Sequence, residues 1–104
     1  HGYGTEALLV FLRYYFLEMR FERMVLDVAA VNERAVRCYE RCGFQHTGEH
    51  YQYAGSDRDL QFLEDPLYDH LRPFFKRDCH RNLMLAYDME ITREVWLAEH
   101  VRVL

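Results

Sequence analysis

Gly2 and Gly4 stand one residue apart in GYGTEA, directly before an apolar run with helical spacing. Glycines so placed let the backbone approach a ligand closely and turn its N–H groups outward. A helix N-terminus behind them adds partial positive charge, and together they suit phosphate oxygens. A P-loop would need a Lys and a Ser/Thr after the second glycine. A dinucleotide turn would need a third glycine and a preceding strand. Neither pattern is met, and a tight turn leading into a helix accounts for the same letters.

Other side chains of chemical interest follow. Asn32 precedes a helical pattern and is a good N-cap. Arg34 and Arg37 lie beyond it. Cys38 and Cys42, four residues apart, could grip a metal, but no His stands at suitable spacing, and small buried thiols are the simpler reading. His46 and His50 would share one face of a strand and form a metal pair without an evident third ligand. No metal is therefore expected. Asp57, Asp59, Glu64, Asp65 and Asp69 cluster in one stretch, where they could attract an amine by long-range field or form a solvated loop.

The elements that must position these groups can be read from periodicity. Leu8, Phe11, Leu12, Tyr15, Phe16 and Met19 share a helical face, predicting a helix from Thr5 to about Arg20. RMVLDVAAV (Arg23 to Val31) is short, β-branched and almost wholly apolar, as in a strand buried on both faces. NERAVRCYERCGF is a second helix, capped by Asn32 and ended by Gly43, with Ala35, Cys38, Tyr39 and Cys42 as its buried stripe. Phe44 to Ala54 reads as a strand with a bulge or kink at Gly48. Gly55 to about His80 is a long connection broken by Pro66 and Pro73, with one or two short helices. Leu83, Leu85, Tyr87, Met89 and Ile91 alternate along a last strand, Arg81 to Ile91. The tail from Arg93 to Leu104 is either a short helix or extended.

The chain of 104 residues is one domain by size, and half its residues are hydrophobic, enough for a packed core. Its net charge of −4, with both signs interspersed, argues against nucleic-acid binding. No apolar run approaches the roughly 20 residues that span a bilayer, and no signal peptide is visible. The expected location is the cytoplasm, with Cys38, Cys42 and Cys79 as free thiols.

The two glycines and the NERAVRCYERCGF helix together resemble the later half of the GNAT superfamily of acyl-CoA-dependent N-acetyltransferases. That family has a Q/R-x-x-G-x-G/A pyrophosphate loop before a long helix, then a strand, then an Asn-x-x-Ala helix carrying a Tyr and ending in Gly-Phe. Gly2 and Gly4 match the loop. Asn32, Ala35, Tyr39, Gly43 and Phe44 match the second motif. The resemblance runs from about Gly2 to Tyr53, and the strand from Arg81 fits the family's last strand. The Q/R position and the first strands of the family would precede His1. The chain is thus expected to be the C-terminal part of an α/β (α+β) GNAT domain, a mixed sheet flanked by helices. On this reading residues 1–53 hold the cofactor loop and two helix–strand units, 54–80 are an insertion, and 81–104 are the last strand and tail.

The resemblance implies an enzyme that moves an acetyl group from acetyl-CoA to a primary amine by direct attack. Backbone N–H groups of Gly2, Tyr3, Gly4 and Thr5 would bind the CoA pyrophosphate. Asn32, with Ala35 of the same motif, would lie along the cofactor, and Arg34 or Arg37 could reach its phosphates. Tyr39 is the catalytic candidate, a phenol able to donate a proton or hydrogen bond to the leaving thiolate. Asp27, Glu49 and His50 are weaker candidates for a general base. An interaction or CoA-binding module without turnover, which dimerises or pairs with a missing half, is the alternative. A sheet without its first strands would expose an edge and apolar faces.

Overall fold

The computed structural model describes residues 3–100. Helix α1 (Tyr3–Arg13) runs on into a π-helical turn over Tyr14–Glu18, where the Met19 N–H donates to the Tyr14 carbonyl at 3.0 Å. Leu12 and Phe16 are fully buried, and Leu8 and Tyr15 partly so. Phe11 and Met19, expected on the same face, are exposed. The wider turn holds an extra residue, which rotates Met19 out of the buried stripe. Phe11 lies on the outer rim against Tyr15, with ring centroids 5.9 Å apart.

Strand β1 (Arg23–Ala29) follows. It is not buried on both faces. Met24, Leu26 and Val28 face the core, while Val25 is 60% exposed. The cause is position: β1 is an outer strand of the order β1-β4-β2, and the packed helices cover one of its faces. Helix α2 (Glu33–Arg41) is capped as expected, the Asn32 Oδ1 accepting the Ala35 N–H at 3.2 Å. Val36 joins its buried stripe, and Ala35, Cys38 and Tyr39 are half-buried beside it.

Gly43 ends α2 with φ +104°, a conformation that an L side chain rarely adopts. The Phe44 N–H returns to the Tyr39 carbonyl at 3.0 Å. A Cβ at position 43 would lie 2.6 Å from a Glu99 carboxylate oxygen and 3.2 Å from Ile91 Cδ1. Gly43→Ala is therefore expected to lower stability by about 1–2 kcal/mol, the cost of left-handed backbone for a residue with a Cβ. Urea denaturation with an unchanged m-value checks this.

Strand β2 (Gln45–Gly55) and the long β4 (Arg81–Thr92) pair along most of their length, with a bulge between His46 and Gly48. All direct pairings are antiparallel, so β1 and β2, on either side of β4, run parallel to each other, with α2 crossing between them. The connection after β2 holds two 3-10 segments, Gln61–Glu64 and Pro66–Phe74, where short helices were expected. It ends in a strand that the sequence did not announce, β3 (Phe75–Asp78), which pairs with the start of β4. Helix α3 (Arg93–His100) settles the ambiguous tail as helix as far as residue 100. Its Trp96 is buried against Phe16, with ring centroids 5.7 Å apart.

One core joins these parts. Leu12 and Phe16, Val36, Trp96, Met89 and Ile91 bring α1, α2, α3 and β4 together on one face of the sheet. The described chain is drawn out, 55 × 29 × 18 Å, with a radius of gyration of 17.0 Å. A compact domain of about 100 residues has a radius of about 13 Å. No helix among the described residues is long and apolar enough to cross a membrane.

Candidate functional site

Tyr3, Gly4 and Thr5 form the first turn of α1 rather than a loop before it, and Gly2 lies outside the described residues. The first-turn N–H groups of a helix have no partner within the helix and carry the positive end of its dipole. A Cβ built on Gly4 would meet nothing within 4 Å, so a ligand can approach the backbone there. The Thr5 hydroxyl lies 3.3 Å from the Cys38 sulfur. That contact holds the start of α1 against the middle of α2, one residue from Tyr39. The start of α1 and the Tyr39 helix thus come together.

On α2, Asn32 spends its side-chain oxygen on the cap, and Ala35 supplies the N–H it accepts. Arg34 and Arg37 are exposed. Arg37 lines an open cleft of about 280 Å³ with Ala30, Glu33, Val36, Phe74 and Tyr87. Tyr39 packs edge-on against Phe44, with ring centroids 5.5 Å apart.

The cysteines are free thiols. Burial, reinforced by the neighbouring Cys38 thiol, pushes the Cys42 thiol up to about 11. It therefore stays protonated at neutral pH, unsuited to act as nucleophile or metal ligand. Its folded value is raised, so the stability it contributes is complete below the unfolded value of about 8.5 and is lost as pH rises through about 11. With a thiol-reactive disulfide at pH 8, exposed Cys79 is expected to react within the mixing phase. Cys42 is expected to react only as fast as the protein unfolds. Mass mapping of the modified peptides checks the order.

His46 and His50 do not share a face. Thr47 occupies the bulge, so the alternation slips by one residue. His46 pairs with Glu40 at 2.8 Å and stacks edge-on against Tyr87 on the helix side. His50 is turned to the opposite face, where it lies beside Asp27 and Asp88. Asp27 is neither buried nor paired with an arginine: its side chain is 57% exposed and its partner is His50 at 3.5 Å. Glu49 pairs in register with Tyr87, on the face away from His50. Asp27 and His50 therefore lie across the sheet from the α2 helix that carries Tyr39.

Asp88 escaped the sequence reading, because only the strand register sets it opposite Asp27. Among the described residues, Asp27, His50 and Asp88 are the one group of three that could hold a metal ion. Four of the five carboxylates in the acidic cluster of the insertion have local structural partners instead. Asp57 takes Asn82 and Arg77, and the hydrogen bond from Asn82, followed by that from Arg77, holds its carboxyl below the usual range. Asp59 closes a turn on Ser56 and is lowered by it. Asp65 accepts from the Leu67 N–H, and Asp69 pairs with Arg72.

The sequence model of the acetyltransferase (GNAT) domain matches residues 1–45, from the glycines through α2 into the first residue of β2. The fold of the chain is similar to that of solved acetyltransferases. A point mutant of spermidine N-acetyltransferase SpeG from Vibrio cholerae superposes on 94% of this chain and 44% of its own, with TM-score 0.62 and 20% identity. A GNAT-family acetyltransferase from Bacillus anthracis covers 90% of this chain and 43% of its own, with TM-score 0.58 and 22% identity. In sequence, the SPbeta prophage-derived uncharacterized N-acetyltransferase YokL of Bacillus subtilis is 31% identical over 48 residues, 46% of this chain and 27% of that protein. The chain therefore spans less than half the length of each of these relatives.

Proposed function

We propose that this chain is a GNAT acetyltransferase segment that serves the transfer of an acetyl group from acetyl-CoA to a primary amine. The observation that carries the reading is the Thr5–Cys38 contact, which sets the first turn of α1 beside the Tyr39 helix within the family-matched residues. The N–H groups of Tyr3, Gly4 and Thr5 bind pyrophosphate oxygens, with Gly2 before them in the sequence. Asn32 and Ala35 frame the start of α2, where the pantetheine arm runs.

In this reaction the lone pair of the neutral amine attacks the thioester carbonyl carbon. The carbon–sulfur bond breaks, the nitrogen gives up a proton, and the thiolate takes one. Tyr39 supplies the proton or hydrogen bond to sulfur. The acceptor class is an aliphatic primary amine, in line with the spermidine acetyltransferases that share the fold. Three free thiols favour a reducing compartment, here the cytoplasm. The test is turnover: incubation with acetyl-CoA and spermidine or butylamine, read by mass spectrometry of the amine. An acetylated product is expected, and its absence at every amine tried overturns the enzyme reading.

A second reading is favoured by surface features. Val10, Phe11, Tyr14 and Val25 are exposed on α1 and β1, and β1 has no strand on its outer edge among the described residues. Such an open edge and exposed apolar side chains suit a module that pairs with a second copy or with further strands. Light scattering distinguishes the readings: a stable dimer without turnover supports the module, and a monomer with turnover excludes it.

A further inference from the structure

Asp27 and Asp88 stand directly opposite one another in the β1–β4 register. They lie on the sheet face away from Val28, Met89 and the helices. Like charges directly opposite on neighbouring strands destabilise a sheet unless something positive lies between them. His50 reaches in from β2, on the other side of β4. Its Nδ1 is 3.2 Å from Asp88, and its Nε2 is 3.5 Å from Asp27.

A neutral imidazole carries one proton, so it can donate to one of these carboxylates only. With the proton on Nδ1 and given to Asp88, Nε2 turns a lone pair toward Asp27. That meeting is relieved by a second proton on Nε2 or by a bound cation between Nε2 and Asp27. A carboxylate that accepts one ring N–H, leaving the other nitrogen free to face an ion, is how proteins orient a metal-binding imidazole. One ligand atom from each residue lies within 4.8 Å of the others. The side chains are 39–57% exposed, so water can fill the remaining coordination positions.

We propose that Asp27 and the Nε2 of His50 bind a divalent first-row metal ion, with Asp88 orienting the imidazole through Nδ1, so that the ion offsets the carboxylate pair and ties β1, β4 and β2 together. An imidazole, a carboxylate and water suit Mn2+ or Zn2+. Mn2+ is the better probe, because the exposed Cys79 beside His80 offers Zn2+ a competing thiolate.

The experiment titrates the untagged chain with Mn2+ at pH 7.5, reading free Mn2+ by electron paramagnetic resonance. One ion per chain is expected, with affinity falling about tenfold or more in Asp27→Asn and His50→Gln. Paramagnetic broadening in 15N spectra is expected to centre on residues 27, 50 and 88, which keeps the test valid if a variant misfolds. No binding at millimolar Mn2+, binding unchanged in His50→Gln, or broadening centred elsewhere overturns the site. Displacement of Mn2+ by equimolar ethylammonium assigns the carboxylates to an amine and overturns it as well.

Discussion

Tyr39→Phe is expected to slow acetyl transfer by about 10²-fold, the scale of a lost general acid. Tyr39 sits in the family-matched segment, one residue from the Cys38 that contacts Thr5. Its ring packs on Phe44, and phenylalanine preserves that packing. The loss should therefore fall on kcat, with the KM for acetyl-CoA unchanged and stability within about 1 kcal/mol of the parent. A tyrosine that only fills the core would behave differently: the variant would keep its rate. Steady-state kinetics beside a thermal melt separates the two roles.

Phe16→Ala is expected to cost about 3–5 kcal/mol. Phe16 is fully buried, packs on Trp96 of α3, and lies edge-on to Tyr15 at 5.1 Å. Its carbonyl accepts the Arg93 Nε–H at 3.0 Å, so the same residue joins α1 to the β4–α3 corner. A domain of this size has about 5–15 kcal/mol in all, and such a loss leaves little of it. Phe11→Ala, on the exposed rim, is the control and should stay within about 0.5 kcal/mol. Urea midpoints for the pair check the assignment of inner and outer faces on α1. Equal costs would contradict it.

The parts of the fold that the sequence disclosed are those with local chemistry. Asn32 and Gly43 bracket α2 because a cap oxygen and a left-handed exit are decided by one or two residues. The alternation from Leu83 to Ile91 marks β4, and its Tyr87, Met89 and Ile91 meet the core, although Ala86 on the other face is fully buried too. β1 misled, since an apolar strand has the same letters whether one face or two are covered. Only the strand order makes it an outer strand with Val25 in the open. β3 was invisible for another reason. Its hairpin turn places Cys79 and His80 at φ +46° and +68°. Positive φ at both central residues is the geometry usually flagged by Asn-Gly.

The candidate site divides along the same line. The glycine-bearing start of α1 and the Tyr39 helix were legible as motifs, and the Thr5–Cys38 contact brings them together. Asp27, His50 and Asp88 were not legible as a group. They sit on three strands, and the bulge at Thr47 decides which histidine reaches the carboxylates. Neither register nor bulge has a signature in a single sequence.

The central claim is that the start of α1 and the Tyr39 helix form one acetyl-CoA site. A 15N-resolved titration of the chain with acetyl-CoA tests it most directly. The account predicts saturable shifts of the Tyr3, Gly4 and Thr5 amides together with those around Asn32 and Tyr39, fitting a single dissociation constant. Shifts confined to one helix, or none in a folded chain at millimolar acetyl-CoA, would contradict it.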